Sequence, residues 1–333
     1  MLTLLAQIAP QRSTQYGALA DALAPYELQL SALGAYITSI GPIRLGGQSY
    51  LRCALSASPT ASDLGEMGSF ATMSAFFEYV ERLGEHDGPW LRPLETQFRP
   101  AFPPELATAR RYKGKTNELF THFMCNVARF SSAFAGSPWR ALRVFDPLAG
   151  GGTTLFTALV LGAEAAGVER CKEDVESTVA FLVQYAREQG IAHTVKEERL
   201  KRFGRRWRFT FTIEGSSTQC VIARGETADS AALMDGIKRP HLIVTDLPYG
   251  IQHRGELVNV LTAGLPAWSA MLLEGGALAF AWEAARFPRA EIIALVESHS
   301  GLRVLNDPPY DRLAHRVDRV IKQRDVIVAR KPI

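Results

Sequence analysis

Residues 141–161 constrain the fold of this chain more strongly than any other segment. They begin with Ala-Leu-Arg-Val-Phe, a short apolar run typical of a central strand in a parallel sheet. Pro147 ends the strand because proline has no N–H for the ladder, and three successive glycines at 150–152 permit a tight turn. A helix follows over 155–161, with the threonines at 153–154 as its expected caps. This order of strand, glycine-rich turn and helix predicts an α/β fold.

The same unit predicts a ligand site. In an open α/β sheet, the turn after a strand places free N–H groups at the carboxyl edge, where ligands bind. Residues 165–168 predict a second strand, and Glu169 stands at its end, where Rossmann-type sites have a ribose-binding acid. The glycine spacing is not the dinucleotide pattern, so these residues alone leave a nicotinamide site or a purely structural turn open.

A second informative segment covers residues 242–250, with the sequence Leu-Ile-Val-Thr-Asp-Leu-Pro-Tyr-Gly. It predicts a buried strand that ends on an acid, followed by a constrained dipeptide and an aromatic ring. The exocyclic amine of a nucleic acid base is a poor nucleophile because its lone pair is delocalised into the ring. Asp246 and the carbonyl of Leu247 could accept its two N–H groups. Tyr249 offers a stacking face for a flipped base, and an incidental tyrosine in a strand-end turn is the alternative.

Together and in this order, the two segments resemble the S-adenosylmethionine-dependent methyltransferases that modify exocyclic amino groups of nucleic acid bases. The first matches the family pattern Asp-Pro-x-x-Gly-x-Gly-Thr. The second matches Asp/Asn-Pro-Pro-Tyr/Phe except that Leu247 replaces the first proline. Restoring that proline is expected to keep or raise activity, because the carbonyl remains and the backbone stiffens.

The resemblance implies S-adenosyl-L-methionine as the cofactor and a Rossmann-like class I methyltransferase fold. That fold has a mostly parallel seven-stranded sheet with an antiparallel last strand. The implied catalytic residues are Asp246, Leu247, Pro248 and Tyr249. The implied cofactor-binding residues are Asp146, Pro147, Ala149, Gly150, Gly152, Thr153, Thr154, Glu169, Glu226, Asp246, Lys115 and Thr116.

The resemblance covers roughly residues 110–333. It leaves residues 1–109 as a small α+β domain with a proline-rich linker, for which substrate binding is one candidate role. Within it, residues 35–40 and 50–55 predict strands, and residues 70–80 predict a helix. The motif order is similar to that of RNA guanine N2-methyltransferases often joined to THUMP domains, which implies guanine N2 of tRNA or rRNA as the target. A DNA adenine or cytosine amino-methyltransferase is the alternative, as is a catalytically weak nucleic-acid-binding module of the same fold.

A basic run at residues 199–208 holds six basic and no acidic side chains. It leads into residues 207–213, where large apolar side chains alternate with Arg and Thr, and a turn connects this strand to residues 219–224. The pattern predicts a hairpin whose basic lead-in contacts phosphates. The candidate residues for that contact are Arg202, Arg205, Arg206 and Arg208. A solvated sheet edge protected by arginine is the alternative.

Asp307-Pro-Pro-Tyr310 matches the catalytic motif more closely letter by letter. It lies between the last two predicted strands, however, and not after the strand that follows the cofactor segment. We therefore predict a turn there without a catalytic role.

Length and composition agree with an intracellular enzyme. The 333 residues suffice for a methyltransferase domain and a smaller one, and the 47% apolar content suffices for a large core. The four cysteines are dispersed, which predicts reduced thiols and no metal site. No run approaches the length of a membrane span, so we expect a cytoplasmic protein. The resemblance implies nucleic acid as its partner, RNA rather than DNA. The net charge of +3 is too small to make nucleic acid an obligatory partner.

Overall fold

The computed structural model describes residues 2–10, 18–112, 115–248, 254–317 and 323–333. The chain divides into two compact units, Met1–Arg99 with Asp307–Arg324, and Pro100–Asn306 with Asp325–Ile333. The division expected at residue 109/110 differs in two respects. Residues 100–109 belong to the second unit, where the Ala101 N–H donates to the Val160 carbonyl at 2.9 Å. Residues 307–324 belong to the first unit although they lie near the end of the sequence.

The described residues of the first unit form a five-stranded antiparallel sheet and two α-helices. Its strands, in the spatial order β2-β3-β1-β4-β5, are β1 (Leu2–Ile8), β2 (Ile37–Leu45), β3 (Gln48–Leu55), β4 (Met73–Leu83) and β5 (His86–Leu94). The helices are α1 (Leu19–Leu30) and α2 (Ala61–Met67). The strands predicted at residues 35–40 and 50–55 are confirmed, with shifted ends.

The helix predicted over residues 70–80 is wrong, because most of this segment forms β4. A β-bulge explains the misleading pattern. Gln7 pairs with Ala75 and Ile8 with Met73, so Ser74 has no partner of its own. The extra residue lets Met73 and Phe76 lie on the same buried face although they are three positions apart, which is the spacing of a helix.

The second unit contains a nine-stranded mixed sheet. Its strands are β6 (Arg143–Asp146), β7 (Glu164–Glu169), β8 (Ala192–Leu200), β9 (Gly204–Ile213), β10 (Ser216–Arg224), β11 (Leu242–Asp246), β12 (Ala277–Glu283), β13 (Arg303–Leu305) and β14 (Arg324–Arg330). Their spatial order is β13-β14-β12-β11-β6-β7-β10-β9-β8. The five central strands, β12 to β10, pair in parallel, and β14 pairs antiparallel with β13. The predicted fold class is confirmed, with β8 and β9 added to the expected seven strands.

Helices connect and cover these strands. They are α3 (Glu105–Thr108), α4 (Glu118–Ser131), α5 (Thr153–Leu161), α6 (Lys172–Glu188), α7 (Ser230–Leu233), α8 (Arg254–Met271) and α9 (Arg289–Ser300). Helix α5 is almost entirely buried because α3 and α4 pack on it as well as the sheet. Among the described residues, no helix is both long and apolar enough to cross a membrane.

The strand order reverses between β6 and β11. From β6 the chain proceeds through β7 to β10 on one side, and from β11 it proceeds to β12 on the other. The connections on the two sides therefore diverge and leave a crevice at the carboxyl edge between these two strands. Open α/β sheets bind their ligands at such a point.

Candidate active site

The three glycines of the turn after β6 face different surroundings. A side chain at Gly151 would collide with the ring of Tyr112, whose nearest atom lies 2.3 Å from the position of an added Cβ. A side chain at Gly152 would lie 3.0 Å from Phe156, and its φ of +90° disfavours any other residue. Gly150 also has a positive φ, +48°, but nothing lies within 4 Å of an added Cβ. Of the three glycines, only Gly150 therefore faces open space, and a ligand could approach the backbone there.

Glu169 borders the turn, as the sequence predicts. It stands at the end of β7, the neighbour of β6, and its Oε2 accepts the Gly150 N–H at 2.9 Å. Its Oε1 accepts the Cys171 N–H at 2.7 Å. These two backbone donors fix the plane of the carboxylate beside the open side of the turn. A fixed carboxylate in this position can accept hydrogen bonds from vicinal hydroxyl groups of a ribose.

Asp146 lies at the end of β6 and is buried, with 3% of its surface exposed. Burial raises the pKa of its carboxyl group from 3.8 to about 6, although hydrogen bonds from Thr154 and the Leu148 N–H partly oppose the shift. The Leu148 N–H donates to Oδ1 at 3.0 Å. Asp146 therefore holds the first residues of the turn in place, and it titrates near neutral pH.

The remaining predicted residues of the turn support its shape. Pro147 and Ala149 are buried, and the Ala149 N–H donates to the Val168 carbonyl at 2.9 Å. The expectation that Thr153 and Thr154 cap α5 is wrong, because the cap position belongs to Gly152 and has no side-chain hydrogen bond. The Thr153 hydroxyl instead lies 2.5 Å from the hydroxyl of Tyr112. The Thr153 hydroxyl therefore bonds Tyr112 and the Thr154 hydroxyl bonds Asp146, so neither hydroxyl caps the helix.

Residues just before α4 contact both segments singled out in the sequence: Thr116 contacts the second, and Arg110 and Tyr112 contact the first. Lys115 donates to the carbonyls of Ala107 and Arg110 at 3.0 and 2.7 Å and pairs with Glu118, so its charge is used within its own loop. Thr116 donates from Oγ1 to Oδ2 of Asp246 at 2.6 Å. Cofactor binding by Lys115 stays a prediction, and the bonds of its side chain hold the loop that precedes α4.

Sequence reasoning missed two residues of this region. Arg110 donates to the Gly151 carbonyl at 2.6 Å and also bonds the hydroxyls of Ser177 and Thr178 on α6. Tyr112 covers Gly151, and the guanidinium of Arg110 lies 5.0 Å from its ring centroid. A basic and aromatic run before α4 was visible in the sequence, but its contact with a turn 40 positions later was not.

Asp246 and Leu247 differ sharply in their surroundings. Asp246 ends β11 and is half-buried in the crevice beside Thr116. Leu247 is 2% exposed within the hydrophobic core, and its N–H donates to the Ala281 carbonyl at 3.0 Å. Pro248 is exposed, and Tyr249 lies outside the described residues.

Glu226 lies just after β10, at the same carboxyl edge as Glu169 because β7 and β10 are parallel neighbours. Its side chain is exposed, and its carbonyl accepts the Asp229 N–H at 3.0 Å to start a short turn. The turn is fastened below by Trp268, whose Nε1 donates to the Thr227 hydroxyl at 2.9 Å. Glu226 is therefore placed on a fixed turn with its carboxylate in solvent.

The predicted hairpin forms as β9 and β10, and the basic run before it lies at the end of β8, in the following turn and at the start of β9. The four predicted arginines of this run are not equivalent. Arg206 is buried; it pairs with Glu198 at 2.6 Å and donates to the carbonyls of Leu233 and Asp235. Its guanidinium is therefore bonded within the fold, and its contact with phosphates stays a prediction. Arg208 also pairs with Glu198, at 3.4 Å, and is partly exposed.

The other two arginines remain accessible. Arg205 is half exposed and pairs with Glu197 at 3.0 Å. Arg202 lies in the exposed turn between β8 and β9 with a φ of +74°. Of the four predicted arginines, these two can reach a phosphate without breaking a buried ion pair.

Asp307, the first residue of the second motif-like segment, is exposed and belongs to the first unit. Its carbonyl accepts the Tyr310 N–H at 2.9 Å in a turn that leads to the short helical residues Tyr310–Arg312. The turn predicted there is confirmed.

Within the part of the chain that the structure describes, no three His, Cys, Asp or Glu side chains converge to hold a metal ion. The four cysteines are free thiols, of which Cys53, Cys125 and Cys220 are buried. Burial raises the pKa of the Cys53 and Cys220 thiols to about 12.

No protein-family model matches the sequence, and no curated protein matches it. Three solved structures illustrate its structural neighbours. TrmN from Thermus thermophilus is 14% identical with a TM-score of 0.45, and the alignment covers 99% of this chain and 100% of that chain. The rRNA methyltransferase aviRa from Streptomyces viridochromogenes is 14% identical with a TM-score of 0.42, covering 67% of this chain and 89% of that chain. A TehB-like SAM-dependent methyltransferase from Corynebacterium glutamicum is 12% identical with a TM-score of 0.36, covering 57% and 80%. Function is therefore inferred from the residues of this chain.

Proposed function

We propose that the protein is an S-adenosyl-L-methionine-dependent methyltransferase that modifies an exocyclic amino group of an RNA base, guanine N2 in tRNA or rRNA. One observation carries the proposal. The glycine-rich turn follows β6 and Asp246 follows β11, and these are the two neighbouring parallel strands between which the strand order reverses. A nucleoside cofactor site and an acceptor for an amine therefore face the same crevice.

The residues of the first segment fit an adenosine-containing cofactor. Gly150 leaves open space for close approach, and Glu169 presents a carboxylate that two backbone N–H groups hold in place. Glu226, two positions beyond β10, is placed to accept a hydrogen bond from the adenine amino group. When bound, S-adenosyl-L-methionine supplies a methyl group on a positively charged sulfur. The other proposed residues of this site, Asp146, Pro147, Ala149, Gly152, Thr153 and Thr154, maintain the turn.

The residues of the second segment orient the amine. Asp246 accepts a hydrogen bond from one N–H of the base, and the Leu247 carbonyl accepts from the other. Both bonds favour a pyramidal nitrogen whose lone pair points at the methyl group. Tyr249 stacks on the flipped base, and Pro248 restricts the backbone between Leu247 and Tyr249. The amine gains the methyl group and releases one proton to solvent.

Substrate recognition is proposed to include the exposed face of the hairpin. Arg202 and Arg205 extend from the tip of β8 and β9, where they can contact phosphates. The order of the two motifs supports guanine N2 of RNA as the target, in preference to a base of DNA. The Thr-Asp and Tyr-Gly pairs that flank the second segment support the same choice. Such an enzyme would act in the cytoplasm.

The test combines binding and transfer. Calorimetric titration with S-adenosylhomocysteine should show a single site on the wild-type protein. Incubation with labelled S-adenosyl-L-methionine and either bulk RNA or duplex DNA, at stated salt concentration, should label RNA, and nucleoside analysis should identify N2-methylguanosine. Asp246→Ala should reduce transfer by about a hundredfold or more while cofactor affinity changes far less, because an acceptor for the reacting amine is lost.

Asp307→Ala is the matched control, since it removes an aspartate from the more motif-like sequence and should leave transfer unchanged. Label in DNA would favour the alternative function, an amino-methyltransferase that acts on adenine or cytosine of DNA. Label on a ring carbon or a ribose oxygen, or full activity of Asp246→Ala, would show that the amine chemistry is not the reaction. Cofactor and RNA binding without any transfer would favour a binding module.

A further inference from the structure

The hydrogen bond between Thr116 and Asp246 joins residues 130 positions apart. A carboxylate has no proton to give, so the Thr116 hydroxyl is the donor and the bond is charge-assisted. Its length, 2.6 Å, lies in the range of strong O–H···O⁻ bonds. The sequence resemblance placed Thr116 in the cofactor pocket, but the structure places its hydroxyl on the proposed catalytic acid.

The backbone around Thr116 is held on both sides. Lys115 bonds two carbonyls of the preceding segment and pairs with Glu118. Asn117 caps α4, its Oδ1 accepting the Phe120 N–H at 3.1 Å. The helix that follows packs against β11 and β12 through completely buried side chains. Thr116 is therefore a fixed donor and not a surface hydroxyl that meets Asp246 by chance.

We infer that Thr116 is a positioning residue for Asp246, an inference that rests on the proposed function. The hydroxyl has two effects on the carboxylate. It fixes the plane of the group, so that the lone pairs available to an amine point in one direction. It also favours the charged form, since a donor to a carboxylate stabilises the anion. A protonated carboxyl would present a proton to the amine where an acceptor is needed.

The test uses Thr116→Val, which has nearly the same shape but no donor, and Thr116→Ser, which retains the donor. We expect Thr116→Val to lower kcat by about tenfold to a hundredfold, on the scale of one lost catalytic hydrogen bond. Affinity for S-adenosylhomocysteine should stay within about threefold of the wild type, because the hydroxyl contacts the acid and not the cofactor turn. Thr116→Ser should recover most of kcat.

The pH dependence separates positioning from packing. In Thr116→Val the acid limb of the kcat–pH profile should move to higher pH, because the anion has lost a donor that stabilises it. Thr121→Val is the matched control: Thr121 is buried in α4 and donates only to the Asn117 carbonyl, so its loss should not move the profile. If Thr116→Val does not fold, Thr116→Ala provides the same comparison.

Carboxyl-carbon NMR provides a readout that does not need turnover. The titration midpoint of Asp246 should lie at higher pH in Thr116→Val than in the wild type and in Thr116→Ser. Equal midpoints, or a kcat loss that serine does not recover, would overturn the positioning role. A wild-type protein that transfers no methyl group to any base amine would instead refute the proposed function, and the NMR comparison would still decide the inference about Thr116.

Discussion

Leu247 occupies the position where the resembling family has a proline, and its surroundings explain why leucine suits this chain. Its side chain fills the core beneath the crevice among residues of α8 and the central strands. Its N–H extends the pairing of β11 with β12 by one bond, to the Ala281 carbonyl. A proline has neither the N–H nor the branched side chain. Burial and this backbone bond hold Leu247 in place.

Leu247→Pro should therefore destabilise the protein, an effect separate from the expectation that it keeps or raises activity. The loss of a buried leucine and of one backbone hydrogen bond should cost about 2–5 kcal/mol of unfolding free energy. Urea unfolding is the measurement, and Leu247→Met is the control that conserves volume and should cost less than about 1.5 kcal/mol. A proline variant as stable as the wild type would show that the core tolerates the family residue.

At the scale of elements, Arg206 shows how one buried side chain joins two edge strands, β8 and β9, to the residues around α7. Both strands extend the sheet beyond β10, and β8 forms its edge. Glu198 on β8 faces Arg206 on β9, and Arg206 also bonds the last carbonyls around α7. The same basic run thus contains one buried arginine, Arg206, and several exposed basic side chains. A count of basic residues in the sequence cannot distinguish them.

Arg206→Ala and Arg205→Ala form a matched pair on adjacent positions. Arg206→Ala leaves the carbonyls of Leu233 and Asp235 without their buried donor, while Glu198 keeps Arg208 and Lys196, and it should cost roughly 1–3 kcal/mol of unfolding free energy. Arg205→Ala removes an exposed ion pair and should cost less than about 1 kcal/mol. Chemical denaturation measures both. Similar costs for the two variants would mean that the buried bonds of Arg206 do not stabilise the fold. RNA affinity should be tested only with Arg202→Ala and Arg205→Ala, which leave Arg206 in place.

At the scale of the whole molecule, burial of Asp146 makes the stability of the folded state depend on pH. The folded protein raises the pKa of this carboxyl to about 6, mainly by burial. As pH rises above about 4, the unfolded chain ionises first while the folded carboxyl remains protonated, so the native state loses stability until about pH 6. A shift from 3.8 to about 6 corresponds to roughly 3 kcal/mol above that range.

Asp146→Asn removes this titration and keeps an oxygen that accepts the Leu148 N–H. The difference in unfolding free energy between variant and wild type should therefore shift in favour of the variant by about 2–3 kcal/mol between pH 4 and pH 7.5. Denaturant unfolding at the two pH values measures it, and groups common to both proteins cancel. A difference that does not change with pH would show that Asp146 titrates normally in the folded state.

The sequence by itself determined the features that depend on neighbouring residues along the chain. The unit of β6, turn and α5 could be predicted because positive φ at Gly150 and Gly152 and the missing N–H of Pro147 are local properties. Glu169 and Asp246 could be placed at strand ends for the same reason. The alternation that begins at Trp207 likewise predicted β9 and its turn into β10.

Tertiary structure alone decided which of these residues meet. The bulge at Ser74 made a strand resemble a helix, because the partner strand and not the sequence sets where an extra residue is inserted. The bonds from Arg206 to the carbonyls of Leu233 and Asp235, the contact of Tyr112 with Gly151, and the bond from Thr116 to Asp246 all join residues far apart in the chain. Such contacts follow from which strands become neighbours and which helix covers them, and this depends on the packing of the whole sheet.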